Sequence, residues 1–165
     1  MLSNRMQDAL NKQINAELYS SYLYLSMACY FKSMSLSGCS NWMQHQSQEE
    51  YGHAMKFLGY IEDRRGKVYL QPIDQPQLEW TSPLEVFEAA FKHEQKVTKM
   101  INDLVALAGT DKDYATHNFL EWFVEEQVEE EASADQIVNQ LRMIGKDPAA
   151  MYLLDRELGN RGKKD

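Results

Sequence analysis

The sequence is short of everything that staples or interrupts a chain. Its two cysteines, Cys29 and Cys39, stand ten residues apart with no Cys-x-x-Cys pair, so neither a disulfide framework nor a thiolate metal cluster is expected. That usage suits a reducing, cytoplasmic setting. There are only 8 Gly and 4 Pro in 165 residues, and Pro72, Pro76, Pro83 and Pro148 all fall outside the long periodic segments, the pattern of long helices with few breaks. No stretch approaches the roughly 20 apolar residues of a membrane span. The opening MLSNRMQDALNKQINAEL lacks the apolar core of a signal peptide, so neither a membrane site nor export is expected. Positive charge is in deficit: 17 Lys plus Arg against 25 Asp plus Glu give a formal net charge of -8. That balance argues against a nucleic-acid or anionic-membrane binder and favours cations as partners. What remains, 44% hydrophobic and 25% charged residues, suits one soluble globular domain.

Periodicity predicts an all-α chain, with helices over about 4–32, 38–65, 83–109, 112–144 and 148–158 in a single domain spanning 1–165. The SMSLSGCS turn between the first two helices is short enough to make them antiparallel neighbours. Residues 66–82, GKVYLQPIDQPQLEWTS, have no helical period, carry two prolines and can reach the length of a helix when extended. Ser82-Pro83-Leu84-Glu85 looks like an N-cap, a proline in the first helical position and a capping-box glutamate. Gly145 supplies a C-cap, and Asp147-Pro148 opens the short fifth helix. Two helix pairs joined by one long crossover is the connectivity of a ferritin-like four-helix bundle.

The inward stripes carry the chemistry. Each long helix repeats apolar residues at steps of three and four, and each interrupts the row with acid. The first gives Leu10, Ile14, Glu17, Ser21, Tyr24, Ala28, Phe31, and the second Met43, Gln46, Glu50, His53, Phe57, Ile61. The third gives Phe87, Ala90, Glu94, Val97, Ile101, Leu104, Ala108, and the fourth Phe123, Gln127, Glu130, Ala134, Ile137, Leu141. Four interior carboxylates cannot all stay ionised unaided, because each costs several kcal/mol to bury. No Lys or Arg shares these rows, which leaves protonation, water or bound metal. Two divalent cations would balance four carboxylates. His53, one turn after Glu50, can present a nitrogen beside that carboxylate, and such mixed ligation suits iron, manganese or zinc better than calcium. The acidic run from Glu125 to Glu131 covers every face of its helix, so some of it must point inward. His45, His93 and His117 fall off the rows and read as surface or interface residues. Cys29 reads as a small buried hydrophobe and Cys39, near a helix start, as the more reactive thiol.

Glu17-x6-Tyr24, Glu50-x-x-His53, Glu94 and Gln127-x-x-Glu130, with flanking strings such as NAELYSSYLY, QEEYGHAMKF, KHEQK and FLEWFVEEQVEEE, resemble a prokaryotic non-haem ferritin over essentially the whole chain. The resemblance implies a homo-oligomeric cage of twenty-four subunits that stores ferric mineral and oxidises Fe(II) with O2 or H2O2 at a di-iron ferroxidase centre inside each bundle. It implies that Glu17, Glu50 and His53 bind the first iron, with Glu50 bridging to the second. Glu94 and Glu130 complete the second site, and Gln127 is a weak ligand or hydrogen-bond partner. It further implies a third iron site at Glu49, Glu126, Glu129 and Glu130. Tyr24 gives a further electron or a hydrogen bond to the centre, or is a core aromatic with a satisfied hydroxyl. Trp122 relays electrons or simply packs.

Departures from related families narrow the expectation. A bacterioferritin carries a haem-ligating methionine where Tyr51 stands, so haem is not expected. A rubrerythrin needs four cysteines for its second iron site. The positions that line the three-fold channels of animal ferritins with acid are His117 and Leu120 here, which leaves the route of iron into the cage open. Two competing functions are a di-iron peroxidase or oxygenase, needing a reductant and an organic or peroxide substrate, and a helical bundle without chemistry.

Overall fold

Runs of good helix formers without internal proline become long rods. The computed structural model describes residues 1–163, which form α1 (Asn4–Ser33), α2 (Ser37–Asp63), α3 (Pro83–Thr110), α4 (Tyr114–Ile144) and α5 (Pro148–Leu158), with no strand among the described residues. α1 packs along α2 and α3 along α4, α1 also touches α3, and α5 rests on α2. The expected all-α bundle with one long crossover is what the chain forms. No helix among the described residues is long and apolar enough to cross a membrane.

Local chemistry fixes the ends of the rods. Ser3 accepts from the backbone N–H of Met6 to start α1, Ser82 from Glu85 to start α3, and Asp113 from Thr116 to start α4. Each satisfies a helix N–H that has no partner within its own helix. The return arm of the capping box lands one residue earlier than expected. The Glu85 carboxylate accepts from the backbone N–H and the hydroxyl of Thr81, not from Ser82. Arg64 at the end of α2 donates two bonds of 3.1 Å to Asp113 and so ties the end of one helix pair to the start of α4. The crossover is sewn along α1 by side chains that replace its missing secondary structure. Asn11 accepts from Tyr69 N–H at 2.6 Å and donates to the Lys67 carbonyl at 2.9 Å, and Ser26 donates to the Gln77 carbonyl at 2.6 Å.

The interior is two apolar clusters rather than one. Toward the α5 end lie Met27, Phe31, Met43, Phe87, Leu141 and Leu154. Toward the other end lie Leu10, Phe57, Ile61, Ile101, Leu120 and Phe123. Leu120, expected at a channel-lining position, is fully buried in the second cluster, so it lies inside the bundle. The cysteine expectation reverses as well: Cys29 is exposed and Cys39 is buried. The cause is α5, which docks on the start of α2. Asp155 accepts from Cys39 N–H at 2.8 Å, and burial, followed by the nearby Asp155 charge, pushes the Cys39 thiol up. The approach is so close that a Cβ on Gly38 would collide with the Asp155 backbone, so only glycine fits there.

Candidate metal centre

Between the two clusters the four bundle helices bring their acids to one depth. Glu17, Glu50, His53, Glu94 and Glu130 are between 1% and 7% exposed, which places all five in the interior. Two ligand groups overlap there: Glu17, Glu50 and His53, and Glu50, Glu94 and Glu130, with the ligand atoms of each within 4.8 Å of one another. Glu50 belongs to both, so its two oxygens can serve neighbouring cations. A further group of the same kind joins His53, Glu126 and Glu130. His53 is the hinge between them. Its Nδ1 lies 3.3 Å from Glu50 Oε2 and 3.9 Å from Glu17 Oε2, and its Nε2 lies 3.7 Å from Glu126 Oε1.

Crowding like charges in a dry interior disfavours their ionised forms. Burial first, and the Glu50 charge second, push Glu17 well above the ordinary glutamate range, Glu94 up to about 7 and Glu130 up to about 9. Glu50 goes the other way. Burial would raise it, but the hydrogen bond and charge of His53, together with the hydrogen bonds to Gln46 and Glu17, outweigh burial and lower it. Burial would lower His53 in turn, and Glu50 holds it raised. The cluster is therefore a mixture of charged and proton-holding groups. Glu17 Oε2 is buried with no hydrogen-bond partner, an uncompensated acceptor that a cation would satisfy.

A frame of amides orients the acids. Gln13 donates to Glu17 Oε1 at 2.8 Å, and Gln46 donates to Glu50 Oε1 and Glu130 Oε2, both at 2.7 Å. Gln127 donates to Glu94 Oε2 at 3.1 Å and to the Glu94 carbonyl at 3.3 Å, so its amide nitrogen faces the Glu94 carboxylate. The Tyr24 phenol donates to Glu94 Oε1, and burial, then the Glu94 charge, hold that phenol well above its ordinary value.

The profile of the ferritin-like domain matches residues 7–144. The bacterial non-heme ferritin of Bacteroides fragilis is 47% identical over 161 residues, covering 98% of this chain and all of its own length. The bacterial non-heme ferritin of Staphylococcus aureus is 40% identical over 98% of this chain and 97% of its own. This chain belongs to the ferritin family. Among solved structures it is similar to the open pore ferritin of the archaeon Archaeoglobus fulgidus, at 55% identity and a TM-score of 0.96 over 97% of this chain and 98% of that one. A humanized archaeal ferritin matches at 54% identity and a TM-score of 0.98 over the full length of both chains.

In this ferritin the acids expected at a third site are only partly gathered. Glu126 and Glu130 share a ligand group with His53, while Glu129 is exposed and belongs to no such group among the described residues. Glu49 is paired instead with Arg161, at 2.6 Å. Of the histidines set aside as surface residues, His93 is half-buried and hydrogen-bonded to Ser20 at 2.7 Å. Its ring is pushed down to about 4, chiefly by burial, and the Ser20 hydroxyl occupies its Nε2, so it is a structural residue. Trp122 packs edge-on against His53 at 5.4 Å, with the Lys56 ammonium 3.0 Å from its ring centroid. Sequence reasoning assigned no role to Gln13 or Gln46. Their signal was the repeated Gln-x-x-x-Glu spacing of Gln13–Glu17 and Gln46–Glu50, which puts amide and acid on one face.

Proposed function

We propose that this ferritin oxidises Fe(II) at the buried carboxylate cluster of each subunit and passes the product to a ferric mineral inside a cage of twenty-four subunits. The observation that carries this is the sharing of Glu50 between two ligand groups drawn from all four bundle helices. In this reading Glu17, Glu50 and His53 bind one ferrous ion and Glu50, Glu94 and Glu130 the other. The first-row divalent ions accept this oxygen and nitrogen set, and the orphaned Glu17 Oε2 gains a partner. Two cations carry the charge that four ionised carboxylates need, so binding drives the protons off Glu94 and Glu130.

Two ions held about 3.5 to 4 Å apart can each give one electron to the same O2, an encounter rare in solution. Dioxygen is thereby carried to the peroxide level and both irons become ferric. Anionic oxygen ligands favour the higher charge of the product. Gln127, neutral and donating to Glu94, adds no charge to the second position, so Fe(III) is held there loosely enough to move on. That favours storage over a permanent cofactor. Tyr24 holds Glu94 through its hydroxyl.

Glu94→Ala and Glu130→Ala are expected to abolish the fast phase of Fe(II) oxidation in stopped-flow measurements while the cage stays assembled. Wild-type rates in both would refute the assignment. A peroxidase or oxygenase retains about a pair of irons per chain after aerobic loading, whereas storage keeps far more iron in solution.

A further inference from the structure

The tail after α5 reaches back to the edge of the metal centre. Asn41 Nδ2 holds it through the Gly159 and Arg161 carbonyls, at 3.5 and 3.2 Å. Gly162 follows at a φ of +80°, and a Cβ there would run into the His45 ring, so the tail turns inward only because that residue is glycine. The turn delivers Arg161. Its guanidinium lies 4.4 Å from the Trp42 ring centroid and donates to the Trp42 carbonyl at 3.2 Å. It also donates to Gln46 Oε1 at 2.9 Å and to Glu49 Oε2 at 2.6 Å.

These contacts have two effects. With its oxygen taken by Arg161, the Gln46 amide must point its nitrogen at Glu50 and Glu130, the two acids it bridges at 2.7 Å. Glu49, whose charge raises Glu130, is held by a cation that belongs to the protein itself. A metal ion that takes Glu49 through Oε2 must compete with the guanidinium for that oxygen.

We propose that Arg161 is a positioning residue that latches the outer edge of the centre, fixing Gln46 and competing with an incoming cation for Glu49. This rests on the reading that a third cation binds beside the pair. While the pair alone is occupied the latch stays shut. A third cation opens it, freeing Gln46 as Glu130 comes under load. The exchange of one positive group for another at Glu49 makes the third position the weakest and the most easily emptied.

Zn(II), which undergoes no oxidation, tests this by calorimetric titration of the assembled protein together with a zinc-soaked crystal read by anomalous scattering. The third Zn(II) per chain is expected to bind about fivefold more tightly in Arg161→Gln, the scale of a half-exposed ion pair, while Arg161→Lys, which keeps the charge, returns toward wild type. The soaked wild-type crystal should show zinc on Glu49 and the guanidinium moved away. A third zinc on Glu49 with the Arg161 pair intact, or equal third affinities in wild type and Arg161→Gln, would overturn the latch alone. Two zinc ions and no third in either protein would overturn the latch and the third site while leaving the paired centre standing. No zinc at the buried acids would remove the centre itself.

Discussion

Around Phe57 the bundle is filled by rings. Phe57 stacks on Phe123 at 4.1 Å, and nearby Tyr60 stacks on Phe119 at 3.9 Å. One and two turns back along α2, at His53 and Glu50, the same interior holds carboxylates, amides and an imidazole. The rings sit in ordinary close packing and stabilise the fold without help. The acids are just as buried and work against it, because each is either desolvated as an anion or neutralised by a proton. Depth in the bundle therefore does not set the sign of a residue's contribution; the missing partner does. The apolar ends hold the four rods in register, so the waist between them can keep buried acids, among them the unpartnered Glu17 Oε2.

The largest effect is expected on the apolar side. Phe57→Ala is expected to cost about 3–5 kcal/mol and to lower the thermal midpoint with and without metal alike. Denaturation of both forms checks this, and a loss confined to the metal-bound form would contradict it. At the waist the sign should reverse. Glu130→Gln removes a group that desolvation disfavours, so the metal-free protein should melt no earlier than wild type at pH 8. Cation affinity in a Zn(II) titration should nevertheless fall by at least about 100-fold, because a direct ligand is lost and even a ligand's outer support is worth about 10- to 100-fold.

Acidity sharpens the contrast. Glu94 and Glu130 have folded pKa values raised to about 7 and about 9, so the folded state binds more protons than the unfolded chain above the ordinary glutamate range. The stability they contribute is complete below that range and is lost as pH rises through about 7 and then about 9. Melting curves of metal-free protein should therefore fall across this window. The gain in melting temperature on adding Zn(II) should widen over the same window, because fewer protons have to be displaced. A gain that shrinks with pH would contradict the assignment. The smallest effect expected is that of Tyr24→Phe, which removes one donor from Glu94 and should cost about 1 kcal/mol while pushing the apparent pKa for cation binding upward.

Much of this division was legible in the sequence, since helical periodicity is written in the spacing of Leu10, Ile14 and Phe31 and of Phe87, Val97 and Leu104. An acid in the middle of such a row stands out against it, which is why Glu17, Glu50, Glu94 and Glu130 could be singled out on four helices. Local rules carried the helix starts at Ser82 and Asp147. What depended on the docking of α5 was hidden. Cys39 reads as accessible until Asp155 covers it, and Glu49 reads as a free ligand until Arg161, 112 residues later, folds onto it. No periodicity extends past Leu158, so nothing in the pattern announces that the tail returns to the centre.

The most direct test is a crystal soaked anaerobically in ferrous salt, with anomalous scattering used to locate iron. Two irons per subunit should appear between the apolar clusters, one held by Glu17, Glu50 and His53 and its neighbour by Glu50, Glu94 and Glu130. Iron found only on exposed acids, with the waist empty, would contradict the account.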